Sequence, residues 1–239
     1  MNNSFKQLYT PAEIAAWKQQ MLTAKIFAVH KPLYWTSQDV ISFLKHFLGV
    51  KKIGHGGTLD PLAEGLLIVG IDEATKQLDQ YLTDAKIYQA VIGLNQKTKT
   101  ADQEGEVIEQ RDVVVELKQI QTIINHFNGL EYNQTPHQFS AIKVNGKKLY
   151  EYARAEKPVE ITPRKVKIHQ LKLLEFSFPD LTVELEVSKG FYVRSFAEDF
   201  AAKLNTVGYL KKLVRLGCKG FSLTADTLNI MRLKKSLKQ

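Results

Sequence analysis

Thr182-Val183-Glu184-Leu185-Glu186-Val187 sets an apolar side chain at every second position, the period of a strand with one face on a core and the other in water. Lys86 to Leu94 carries the same period, with Tyr88, Ala90, Ile92 and Leu94 on one side. After Val187 the residues Ser188-Lys189-Gly190 interrupt the strand. Val193, Phe196, Ala197, Phe200, Ala201 and Leu204 then form a stripe of helical spacing, with Arg194 near its start. Strands that follow strands, with helices between the groups, predict an α+β fold with a mixed, mostly antiparallel sheet flanked by helices.

Further signals extend this pattern in both directions. Thr10, Pro11 and Glu13 form a capping box that opens a helix, and Ile14, Trp17 and Met21 line one face of it. Lys25 to Val29 is short, apolar and strand-like. Val40, Ile41, Leu44, Phe47 and Leu48 predict a helix from Ser37 to Leu48, stopped by Gly49. Leu117, Ile120, Ile124 and Phe127 predict another, ended by Asn128-Gly129. Asn145-Gly146 marks a turn between strand-like Phe139 to Val144 and the segment Lys147 to Ala155. We find no internal repeat, low-complexity linker or clear domain boundary.

At 239 residues and 44% hydrophobic composition, the chain can bury a sizeable core as one large domain or two small ones, which excludes intrinsic disorder. The longest apolar run, Gly65 to Ile71, is strand-sized, so no bilayer-spanning segment is expected. The first twenty residues lack a basic stretch followed by an apolar one, so an intracellular, cytoplasmic protein is expected. A lone cysteine, Cys218, excludes an intramolecular disulfide framework and a multi-cysteine zinc site. Lys and Arg number 33 against 25 Asp and Glu, a net charge of +8 that favours a polyanionic partner, nucleic acid first. A merely basic soluble domain is the alternative, since lysines are spread from Lys6 to Lys238.

The densest segment for chemistry is Gly54-His55-Gly56-Gly57-Thr58-Leu59-Asp60-Pro61-Leu62-Ala63-Glu64-Gly65. Its glycines allow close backbone approach to a ligand, and Asp60 before Pro61 is biased toward an extended conformation that presents a carboxylate. A dinucleotide fingerprint fails at Leu59, where glycine is needed, and the chain has no GxxxxGK[ST] phosphate loop.

GHGGTLDPLAEGLLIVG (54–70), EATKQLDQYL (73–82) and KIYQAVIGL (86–94) closely resemble the signature of the TruB family of tRNA pseudouridine synthases, eukaryotic members included. FAVHKPLYWTS (27–37), NQTPHQFSAIKVNGKKLYEYAR (133–154), GFYVRS (190–195) and LVRLG (213–217) agree in the same order. The resemblance runs from about Ile26 to Leu228. It implies the pseudouridine synthase catalytic fold and an enzyme that detaches uracil at N1 and rejoins it to the ribose through C5, with no cofactor and no metal. The target it implies is uridine 55 in the T-arm stem-loop of tRNA.

Each residue role follows from its place in a motif. Asp60 matches the family's catalytic aspartate; a turn or N-cap aspartate is the plain alternative. Breaking the bond from C1′ to N1 develops positive charge on the sugar, which a carboxylate can stabilise, attack, or relieve by taking a proton. Arg194 matches the arginine that pairs with that aspartate, against a solvated first-turn arginine. Tyr88 matches the active-site tyrosine that stacks on the uracil and can move a proton, against a core tyrosine on its strand face. Tyr192 and Leu213 match residues walling the uridine pocket, against simple packing. His55 matches the histidine that contacts extruded bases, since the target must be flipped out of its stem-loop; a loop histidine without a role is the alternative. For Lys31, packing around the catalytic loop and direct RNA contact stand equal.

Two departures stand out. The first block of the family usually reads KPxGxTS, and here Tyr34 replaces the glycine, which leaves the backbone there in question. In the later block Phe139 stands where tyrosine is usual. With 45 residues after Arg194, an added RNA-binding PUA domain is not expected. The expected organisation is an N-terminal helical extension (1–25), a catalytic domain (26–229) and a basic tail (230–239) that supplies phosphate contacts or simply frays. A monomer is expected, with nuclear or mitochondrial location open for a eukaryotic source. The alternatives are the catalytic subunit of a guide-RNA-directed complex and a non-catalytic RNA-binding module. Joint retention of Asp60, Tyr88 and Arg194 disfavours the module.

Overall fold

The computed structural model describes residues 7–140, 142–144, 146–155 and 157–239. The chain folds as two compact units: one runs to Ile87 and resumes at Val214, and the other is Tyr88–Leu213.

In the first unit, strand Ile26–Lys31 runs antiparallel to Ala63–Ile71, from Ile26 opposite Gly70 to Lys31 opposite Gly65. On its other edge it pairs in parallel with Leu228–Asn229. Ile53–His55 pairs antiparallel with Ala63–Ile71. The apolar run before Ile71 is explained by burial on both faces. Leu67, Val69 and Ile71 pack with Val40, Ile41, Leu44 and Leu48 of helix Ser37–Leu48, while Leu66 and Ile68 pack with Leu78 and Tyr81.

Helix Pro11–Ala24 has the capping box its sequence announces, Thr10 Oγ1 accepting from Glu13 N–H. Helix Ser37–Leu48 has a second one, Thr36 with Asp39, and Gly49 ends it in the left-handed conformation (φ +72°). Of the two readings open for the C-terminal residues, fraying does not hold for Ile230–Ser236. Residues Ile230–Ser236 form a helix capped by Asn229, with Ile230 and Leu233 fully buried. Tyr9 N–H donates to Ser236 Oγ at 2.9 Å, and the Arg232 guanidinium lies 3.8 Å above the Tyr9 ring. One face of this helix is therefore part of the core of this unit, and Lys234 and Lys235 ride on the helix so anchored.

In the second unit, strands Lys86–Leu94, Asp180–Val187, Arg164–Ser177 and Glu131–Gln134 are neighbours in that order. Asp180–Val187 alternates in burial along its whole length, as its sequence predicts. Val183, Leu185 and Val187 join Ala90, Ile92, Phe196, Phe200 and Ile124 in one core. Helices Leu117–Phe127 and Val193–Lys203 fall where their spacing puts them. The fourteen-residue strand Arg164–Ser177 has no sequence signal because its register shifts between Ile168 and Gln170 and again between Leu173 and Glu175. Each shift flips the side-chain alternation and erases the period of two. Among the described residues of Phe139 to Val144 only Lys143–Val144 is strand, paired with Lys147–Lys148 and followed by helix Leu149–Arg154. Asn145 of the expected turn lies outside the described residues. The architecture is α+β with a mixed, mostly antiparallel sheet. No helix among the described residues is long and apolar enough to cross a membrane.

Because Leu233 is fully buried, Leu233→Ala is expected to lower stability by about 2–5 kcal/mol in urea denaturation. A loss under about 0.5 kcal/mol, typical of surface positions, would restore the reading of a loose tail.

Candidate active site

The loop bearing Asp60 belongs to the first unit and is pinned residue by residue. Leu59 is buried, and Ser37 Oγ both accepts its N–H (2.9 Å) and donates to its carbonyl (3.2 Å). Ala63 N–H donates to the Asp60 carbonyl at 3.0 Å, and Tyr34 N–H to that of Pro61 at 2.8 Å. Asp60 itself is exposed. A carboxylate is thus presented to solvent from a backbone held on both sides.

Lys31 supplies much of the hold. It is wholly buried, and its ammonium donates to the carbonyls of Pro32 (2.8 Å), Trp35 and Pro61 (3.4 Å). Burial pulls its pKa from 10.5 down to about 8; the Asp60 and Glu64 carboxylates oppose the fall and Arg215 adds to it. These bonds tie Lys31 to the backbone around the loop. An ammonium engaged by three carbonyls and shielded from solvent is placed to hold the loop.

Arg215, in the quoted LVRLG block but given no role from sequence, is the second clamp. It is 2% exposed, with Nε donating to the Leu66 carbonyl at 2.7 Å and Nη2 to that of Gly57 at 3.1 Å. Gly65, at φ +105°, lies so close to the Arg215 backbone that a Cβ would sit 2.4 Å from its carbonyl oxygen. That contact and that dihedral both require glycine. The sequence signal for Arg215 is a charge in an otherwise apolar strand segment. His55 is partly buried; burial first and the Arg215 cation second hold its imidazole below the ordinary value, a backbone hydrogen bond with Gly57 opposing. At neutral pH its ring is uncharged.

The glycine-to-tyrosine departure resolves simply. Tyr34 adopts φ +64°, the left-handed conformation for which glycine is suited, at a cost of about 1–2 kcal/mol for an L residue.

In the second unit Arg194 is the second residue of helix Val193–Lys203 and is 7% exposed. Its Nη1 donates to the Thr100 carbonyl (3.1 Å) and its Nη2 to that of Phe139 (2.9 Å), with Asp102 Oδ2 at 3.7 Å from Nη1. It is no solvated first-turn residue. Beside it, burial first and then Arg194 and Lys97 push His137 down to about 4, so that ring is neutral too. Tyr192 is fixed through its main chain: its N–H donates to Gln134 Oε1 (2.8 Å) and its carbonyl accepts from Gln134 Nε2 (3.0 Å). Gln134 also donates to Tyr132 Oη, which donates to Asp199. Tyr88 and Leu213 are partly buried against the core of this unit. The first unit thus holds Lys31 at the end of strand Ile26–Lys31, His55 at the end of strand Ile53–His55 and Asp60 on the loop that follows, while Tyr88, Arg194, Tyr192 and Leu213 belong to the second unit. No group of three or more His, Cys, Asp or Glu among the described residues could hold a metal ion.

The fold is that of pseudouridine synthases. A solved Cbf5-Nop10-Gar1 complex aligns with a TM-score of 0.69 over 95% of this chain and 58% of that one, at 24% identity. A solved archaeal box H/ACA sRNP Nop10-Cbf5 complex aligns at 0.67 over 97% of this chain and 57% of that one, at 21% identity. A sequence profile described as TruB family pseudouridylate synthase, N-terminal domain, matches residues 45–193. The protein named tRNA pseudouridine synthase B of Ureaplasma urealyticum serovar 10 is 43% identical over 211 residues, 87% of this chain and 92% of that protein. Its namesake in Rhodospirillum rubrum is 43% identical over 201 residues, 84% of this chain and 64% of that protein. The chain belongs to the TruB family of pseudouridylate synthases.

Since the folded-state value of Lys31 lies below 10.5, the unfolded chain binds more protons above about pH 8, and this group adds stability as pH rises through that window. The advantage of wild type over Lys31→Met in urea denaturation is therefore expected to widen from pH 8 upward, by at most about 1.4 kcal/mol per pH unit. A gap that stays level or narrows would contradict a buried, depressed ammonium.

Proposed function

We propose that the protein isomerises uridine 55 in the T-loop of tRNA to pseudouridine, with Asp60 as the catalytic carboxylate. The observation that carries this reading is the 43% identity, over 87% of the chain, to a protein named tRNA pseudouridine synthase B. The loop geometry supports it: Asp60, which the motif resemblance matches to the family's aspartate, is exposed on a segment whose backbone is held by Lys31, Ser37 and Arg215. Pre-organisation of this kind is what a charge-stabilising group needs, because no reorganisation then accompanies bond breaking.

The reaction is an isomerisation in which nothing is gained or lost. The bond from C1′ to N1 breaks, the uracil turns, C1′ bonds to C5, the C5 proton leaves and N1 ends protonated. Asp60 meets the electron-poor sugar, as nucleophile or as base. Tyr88 and Arg194 are its partners in the chemistry by motif, and Tyr192 and Leu213 wall the base. His55, neutral at the end of its glycine-flanked strand, takes the role of contacting the opened stem-loop, whose target must leave the stack to react.

Asp60→Asn is expected to abolish pseudouridine formation on unmodified tRNA while affinity stays within about tenfold of wild type, because phosphate contacts and shape dominate binding. Mapping the modified position in full-length tRNA and in an isolated T-arm hairpin, with and without a guide RNA, tests the substrate. Wild-type turnover in Asp60→Asn would remove the catalytic assignment, and modification only with a guide would replace the stand-alone reading.

A further inference from the structure

Resting on the reading that this chain acts on RNA, we propose that Tyr34 is a substrate-positioning residue whose ring stacks on an RNA base beside the target nucleotide. Three observations within the first unit carry it. Tyr34 is 71% exposed, an unusual setting for a large ring. Its backbone is held at φ +64°, where glycine would sit without strain, so the fold gives no reason for a bulky side chain here. Its N–H is bonded to the carbonyl of Pro61, the residue after Asp60, so the ring departs from a turn tied directly to the catalytic loop.

The neighbouring side chains fit the same ligand. Trp35 packs edge-on against Phe43, with ring centroids 5.9 Å apart, and the Lys234 ammonium lies 4.5 Å from the Trp35 ring centroid. Lys235 and Lys238 are exposed farther along the same C-terminal segment. An open ring at the end of a rigid turn, flanked by an aromatic with a lysine over it, matches a nucleobase with its adjoining phosphate. Bases stack on aromatic side chains whatever their identity, and nearby cations take the backbone charge. A buried tyrosine would serve packing and an exposed lysine alone would serve only charge; Tyr34 supplies a face without losing contact with the loop that holds Asp60.

The test separates ring from backbone. Tyr34→Gly removes the ring and relieves the dihedral, Tyr34→Asn removes it with a residue that also tolerates the left-handed region, and Tyr34→Phe keeps it. Single-turnover rates on unmodified tRNA are measured against enzyme concentration, with direct binding and thermal denaturation in parallel. Expected is a half-saturating concentration raised about tenfold or more in Gly and Asn, a saturated rate constant within about threefold of wild type, undiminished thermal stability for Gly, and wild-type behaviour for Phe. Wild-type affinity in both Gly and Asn overturns the proposal, as does equal damage from Phe. If the wild type binds RNA but forms no pseudouridine, weakened binding in Gly and Asn still supports stacking while the enzymatic reading fails. A wild type that binds no RNA ends both.

Discussion

The ammonium of Lys31 is the contact on which the Asp60 loop depends. The loop and the turn before helix Ser37–Leu48 are irregular backbone brought close to a buried strand end, and buried carbonyls without partners are costly. One lysine with three donors answers for Pro32, Trp35 and Pro61 together. No neutral side chain carries three donors on one atom. The cost is a charge removed from water, visible in the fall of its pKa to about 8. The Asp60 and Glu64 carboxylates repay part of it by favouring the charged form.

The same device recurs at three other buried cations. Arg215 ties the carbonyls of Gly57 and Leu66, and Lys86 those of Tyr81, Leu82 and Asp84. In the second unit Arg194 ties Thr100 and Phe139. Buried cations here orient main chain first and act on charge second. That order suits a pseudouridine synthase, since positioning supplies much of what enzymatic catalysis needs.

Periodicity in the sequence revealed the elements that keep a strict period. Asp180–Val187 and helices Ser37–Leu48 and Leu117–Phe127 pack by one repeating face, so their residues announce them. Arg164–Ser177 was illegible because two register shifts break its alternation. Asp60 and Arg194 could be singled out only through motif resemblance, because a loop carboxylate and a first-turn arginine carry no periodic signature. The role of Arg215 was hidden for a different reason: its partners, Gly57 and Leu66, lie far away in sequence, and only the folded chain brings a guanidinium to their carbonyls.

This internal use of cations changes what the net charge of +8 means. Read from composition, every lysine and arginine counts toward a field that attracts a polyanion. In the folded chain Lys31, Lys86, Arg194 and Arg215 are buried on carbonyls, and Lys211 is paired with Asp180 at 2.6 Å. The first four are buried with donors spent on main-chain carbonyls, so they are not set out on the surface as phosphate contacts, and Lys211 already has a carboxylate partner. The C-terminal lysines, by contrast, stay available because buried Ile230 and Leu233 fix the helix that carries them. Apolar anchoring, rather than the count of basic residues, decides which of them can present charge at a defined place, and the segment beginning at Ile230 shows that a lysine-rich terminus can be core on one face and electrostatic surface on the other.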